Sequence, residues 1–174
     1  MKMKTTALFV TALILFQVRG FAQTTATVTL NVVLTNQASI VIAAGAQTAT
    51  LTYSTPANYT NGVTLSQTAA MTTVSNQAYS VTVLSGSDLL NGSNTIPVAD
   101  VTVTPSFTGT NTNITLTPQA IPKTTAAKII ASTVGTASQV YNLQYSTVGA
   151  PTSDFLGLPA GTYTSTLTYT ITNP

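Results

Sequence analysis

Residues 161–171, GTYTSTLTYTI, alternate without a break. Tyr163, Ser165, Leu167, Tyr169 and Ile171 fall on one side of an extended chain, and Thr162, Thr164, Thr166, Thr168 and Thr170 on the other. Successive side chains of a strand point to opposite faces, so the run predicts a half-buried strand with one apolar face and one threonine face. The same period recurs at 25–34, where Val28, Leu30, Val32 and Leu34 oppose Thr27, Thr29, Asn31 and Val33. It recurs at 78–84 (Tyr79, Val81, Val83) and at 140–145 (Tyr141, Leu143, Tyr145). Shorter candidates lie at 39–42, 49–53, 70–74, 100–104, 113–117 and 127–131. Threonine supplies 38 of the 174 residues, and its β-branch favours this extended conformation over helix.

Turn chemistry separates these runs. Asn61-Gly62, Ser85-Gly86-Ser87-Asp88 and Asn91-Gly92 offer residues that tolerate positive φ. Pro97, Pro105, Pro118, Pro122, Pro151 and Pro159 lack the amide hydrogen of a central strand and are expected in loops or at strand ends. No segment after the N-terminal region carries an apolar stripe of period 3.6. The alanine-rich stretch 123–131 reads as a loop running into a strand, because Ile129 and Ile130 are β-branched. About ten short strands with turns between them predict an all-β chain, an antiparallel sandwich or barrel. No break in composition divides it, so residues 23–174 are expected to form a single domain.

The first residues have a different design. Lys2 and Lys4 precede an apolar stretch of ten residues, 7–16, and Gly20 and Ala22 provide small residues before a cut between Ala22 and Gln23. That is the layout of a signal peptide, 1–22, and it predicts a secreted, extracellular or cell-surface protein. The stretch is shorter than the ~20 residues of a membrane span, so no span is expected after its removal. Cleavage would take away Lys2, Lys4 and Arg19. Lys123 and Lys128 would then stand against Asp88, Asp100 and Asp154, for a net charge of −1. No basic footprint for nucleic acid would remain.

The residue inventory narrows the chemistry further. There is no His, no Cys and no Trp, and the three acids are all Asp. Imidazole bases, thiol nucleophiles, disulfides and His- or Cys-ligated metals are therefore excluded. No cofactor is expected, and the chain reads as a non-enzyme. Asp88 and Asp100 are the remaining candidates for a carboxylate pair, but Asp88 follows a turn sequence and Asp100 begins a strand. Asp88, Asn91, Asn94 and Asp100 could offer oxygens to calcium, at spacings that match no EF-hand. Lys123 and Lys128 fit no Ser-Lys motif and read as solvated. Tyr79, Tyr141, Tyr145, Tyr163 and Tyr169 sit on apolar faces and read as core, with hydroxyls at the rim. Tyr59 stands in a loop-like segment and is the best candidate for an exposed ligand contact.

The closing run 158–172 (LPAGTYTSTLTYTIT) resembles the last strand of WxL-type and spore-coat-U-type secreted bacterial domains, with a PAGTY-like turn and a threonine/apolar strand. The segment 75–83, SNQAYSVTV, is similar to a strand that follows an Asn turn in secreted domains of this kind. The resemblance implies an immunoglobulin-like antiparallel β-sandwich on a cell surface or in a pilus-like fibre. It transfers no binding residues, because the chain lacks the tryptophan of the one family and the cysteines of the other.

Two functions follow as expectations. The first is a structural or adhesive surface protein that associates with protein partners, or with itself, through strand edges. Val28, Leu30 and Val32 would be the contacts, since 25–34 alternates strictly enough to pair with an open sheet edge. The same run could instead be the first strand of its own sandwich. The second function is a carbohydrate- or cell-wall-binding module with Tyr59 against a glycan.

Overall fold

The computed structural model describes residues 25–149 and 154–174. The proposed signal peptide and its cut site therefore lie outside the described residues, as does Pro151. The chain divides into two units, Met1–Leu34 and Thr35–Pro174. The described part of the first, 25–34, carries no helix or strand.

The second unit is an antiparallel two-sheet sandwich. Its strands are β1 (Ala38–Ile42), β2 (Thr64–Ser75), β3 (Tyr79–Ser85), β4 (Leu89–Asn91), β5 (Asn94–Ile96), β6 (Val101–Ser106), β7 (Ile114–Leu116), β8 (Gln119–Ala120), β9 (Ala127–Ser132), β10 (Thr136–Thr147) and β11 (Leu167–Thr172). One sheet has the order β1-β2-β10-β6-β8 and the other β11-β3-β9-β7. The hairpin β4-β5 turns at Gly92-Ser93, between the paired Asn91 and Asn94, and Gly92 has φ 60°. β1 and β11, the terminal strands of the two sheets, lie beside each other on one side of the sandwich.

The core lies between the sheets. Tyr79, Val81 and Val83 of β3 and Ile129 and Ile130 of β9 face Met71, Tyr141, Leu143 and Val103 of the other sheet, and all are buried. Adjacent Ile129 and Ile130 can both point inward because the β3–β9 register jumps from Val81↔Ile130 to Thr82↔Lys128. Ile129 is thus the extra residue of a bulge. Tyrosine hydroxyls tie the sheets together. Tyr79 meets Tyr141 at 2.8 Å and accepts from Thr73 and Thr136, and Tyr145 meets Tyr169 at 2.8 Å. Burial raises the pKa of Tyr141, Tyr145 and Tyr169 above that of a free phenol.

Most of the expected strands are present, some of them longer than the sequence indicated. The run 161–171 alternates in burial as predicted, but only its C-terminal part joins β3. Thr164 instead bridges to Leu90 of the hairpin. Three expectations fail. Residues 25–34 form no strand. Residues 49–53 are irregular, held by packing of Leu51 against the core and by a hydrogen bond between the Tyr53 and Thr147 hydroxyls instead of a ladder. Residues 56–61, read as a loop, form a short helix, α1 (Pro56–Asn61). Its start is encoded in Thr55-Pro56-Ala57-Asn58. Thr55 caps the Asn58 amide, Asn58 Oδ1 accepts from the Thr55 amide at 2.9 Å, and Pro56 needs no amide partner in the first turn. Pro105 lies inside β6, one residue from its end.

Candidate functional site

Among the described residues, the sheet edges and the arm 25–34 present unpaired backbone. Edge strands expose a row of amides and carbonyls that can pair with another chain. On β2 the edge is divided. Residues 71–75 are flanked by β1 on one side and β10 on the other. Residues 64–67 pair with β10 alone. The division falls at a bulge. Between Met71↔Tyr141 and Gln67↔Leu143, β2 carries two residues more than β10. There Ala69 adopts φ 50°, uncommon for a residue with a Cβ, and its amide is held by Asn142 Oδ1 at 2.8 Å.

Past this bulge the chain that formed β1 turns away. Ala43 donates to the Ala70 carbonyl, and a 3-10 turn follows at Ala44–Ala46. Residues 47–53 then run beside 64–68 without a backbone hydrogen bond to it. A single side-chain bond crosses the gap, from Gln67 Nε2 to the Thr48 carbonyl at 2.8 Å. The gap is a shallow groove between Ala46, Thr48 and Thr50 on one wall and Leu65, Ser66 and Gln67 on the other. Leu65 and Gln67 are half-buried inward-facing positions, and Gln67 Oε1 is sheltered without a hydrogen-bond partner.

The arm itself is exposed. Val28 is 91% and Leu30 84% exposed, and Val32, Val33 and Leu34 are similar. The arm is joined to a fixed point. Gln37 donates to Asn76 Oδ1 and accepts from the Asn76 amide, and Asn76 Nδ2 donates to the Thr35 carbonyl. Residues 35–37 are thereby pinned to the β2–β3 turn. Neither the arm nor either wall of the groove contains a charged residue.

Tyr59 lies on α1, half-buried, with its ring 5.1 Å from Tyr53, which stacks on Phe155 at 4.8 Å. Sequence reasoning placed Tyr53 in a strand and so missed this three-ring cluster. Its only local signal was the helix start that carries Tyr59. Asp100 sits near the cluster. Desolvation raises its pKa, with a contribution from the charge of Asp154, while a backbone hydrogen bond from Asp154 opposes the rise. Burial likewise raises the pKa of Tyr53.

Asp88 is engaged elsewhere. It pairs with Lys123 and accepts from the Val98 amide at 3.2 Å, and these bonds hold its carboxyl below the usual range. Asp88 and Asp100 thus serve different partners, Asn91 and Asn94 belong to the β4-β5 hairpin, and Lys128 is exposed. Among the described residues no group of three or more acidic side chains gathers in a metal-holding arrangement. No helix among them is long and apolar enough to cross a membrane.

Fold and edges together define an all-β sandwich domain with an uncharged arm. No protein-family model and no curated protein matches this chain.

Proposed function

We propose that this protein is a non-enzymatic structural or adhesive component of a cell surface that associates through strand edges. In this reading the leader is removed on export, and the arm 25–34 is the associating element. One observation carries it: a run with the alternation of a strand stands exposed, with apolar side chains at every second position and no ladder of its own. Five large apolar side chains in ten residues form a surface that soluble monomers seldom leave uncovered. Pairing with an open edge would satisfy the backbone and cover the apolar row in one step.

The test is negative-stain microscopy and light scattering on the protein beside a variant with Val28, Leu30 and Val32 all changed to Ser. The reading expects fibres or large oligomers from the parent and dispersed monomers from the variant. Because the arm is uncharged, the assemblies should also persist between low and high salt. Monomers in both samples would refute it.

A second reading, glycan binding, is favoured by the cluster of Tyr53, Tyr59 and Phe155, since clustered rings near the Asp100 carboxylate suit a sugar face. It expects retention on a glycan or peptidoglycan support that is lost on Tyr59→Ala.

A further inference from the structure

We infer that the groove beside residues 64–68 of β2 is the receptor for the arm 25–34 of a second copy, so that copies join head to tail. The inference rests on the strand-edge reading above and specifies the edge, the occupant and the symmetry.

The edge follows from β2. Its outer side is filled by β1 as far as the bulge at Ala69 and left without a backbone partner at 64–68. A strand added there continues the line of β1, bonds to main-chain groups now facing the groove, and lays its apolar side chains over Leu65 and Gln67. The irregular chain opposite is anchored separately by Leu51 and Tyr53 and is joined across the groove by one side-chain bond, which entry of a strand would break. The remaining edges are less suited. β7 and β8 have three and two residues, and the outer sides of β1 and β11 lie beside each other.

The occupant follows from length and chemistry. The free stretch takes about five residues of partner, and the arm offers ten, with Val28, Leu30, Val32 and Leu34 on one side. Arm and groove are both uncharged and rich in threonine, so no buried charge opposes their contact.

The symmetry follows from where the arm is attached. It leaves the fold at Thr35, pinned at the Asn76 turn beside the C-terminal end of β2, whereas the groove lies at the N-terminal end. From Ser75 back to Thr68, where the groove begins, is about 23 Å of strand at ~3.3 Å per residue. A ten-residue arm reaches at most ~36 Å, so an arm crossing to its own groove would spend most of its apolar row on the way and bring only its first few residues, from Thr25 on, to the groove. A neighbour's arm meets no such limit. Exit and receptor at opposite ends make the contact heterologous, and it propagates as an open chain.

The absence of cysteine makes the test direct. Three single-cysteine variants place a thiol on the outward side of the arm (Thr27→Cys, Thr29→Cys, Asn31→Cys). Three more place one on the receptor (Ser66→Cys) or on other edges (Val41→Cys, Thr170→Cys); all six sites are exposed. Each arm variant is mixed with each edge variant under mild oxidation. The inference expects disulfide-linked heterodimers with Ser66→Cys for one arm position above the rest, at least tenfold over Val41→Cys and Thr170→Cys. A double variant of the favoured arm position with Ser66→Cys should give ladders of linked copies. Cross-links only to Val41→Cys or Thr170→Cys, or assemblies with no arm cross-link, would overturn the groove and leave strand-edge association standing. Monomeric closure of the double variant would overturn the head-to-tail order. If no variant associates or cross-links, the underlying reading fails with it.

Discussion

Residues 161–171 and 25–34 carry the same alternation of threonine and apolar side chains, and they end in different environments. In the first, Leu167, Tyr169 and Ile171 turn toward the core, and β11 forms a ladder with β3. In the second, the corresponding Val28, Leu30 and Val32 are in solvent. The difference teaches that alternation encodes competence to be a strand, while a free edge at the right distance decides whether a strand forms. β11 finds β3 in its own chain, and the account assigns the arm a partner in another.

The largest effect that would sharpen this contrast comes from Tyr169→Ala. It removes a ring that packs against the core and the hydroxyl that meets Tyr145, and should cost about 3 kcal/mol in urea unfolding. A second position where the fold leaves no freedom is Gly62, at φ 79° after α1. A Cβ there would run into the Thr147 carbonyl, so Gly62→Ala should cost about 2 kcal/mol by the same measurement.

The sandwich should also be sensitive to alkali in a way the arm is not. Tyr141, Tyr145 and Tyr169 keep their protons above the pH at which unfolded tyrosines lose them. Their contribution is whole below about pH 10 and falls as pH rises past that point, by about 1.4 kcal/mol per pH unit for each proton retained. Equilibrium unfolding at pH 9, 10 and 11 checks the sign, and unchanged stability across the series would contradict the burial of these hydroxyls. The smallest effect on folding belongs to the arm. Leu30→Ser should shift stability by less than about 0.5 kcal/mol while weakening association, since no fold contact depends on it. A loss comparable to Tyr169→Ala would erase the contrast and make 25–34 part of the sandwich.

Much of the fold was legible because period two survives in the chain wherever one face is buried, as at 78–84 and 140–145. What was not legible depends on partners far away in sequence. Residues 49–53 have the composition of a strand, but β2 bends at Ala69 and offers them no ladder. Nothing local in Thr68-Ala69-Ala70 announces a bulge, because Ala69 is held by Asn142, 73 residues away. The groove inherits that opacity. The arm was visible as an alternating run, but its lack of a strand of its own was not. Tyr59 was visible as a candidate, while its neighbours Tyr53 and Phe155 join it only through the tertiary fold. Helix α1 was legible in principle, since a Thr-Pro-x-Asn start states its own cap.

The central claim is that the arm becomes a strand when copies meet. Amide hydrogen exchange across 25–34, followed on concentrated protein and again after dilution to monomer, reads that transition residue by residue. The account predicts that arm amides slow by about a hundredfold or more in the concentrated sample, together with those of 64–68, and return to peptide-like rates on dilution. Arm amides that exchange freely while assemblies are present would contradict it.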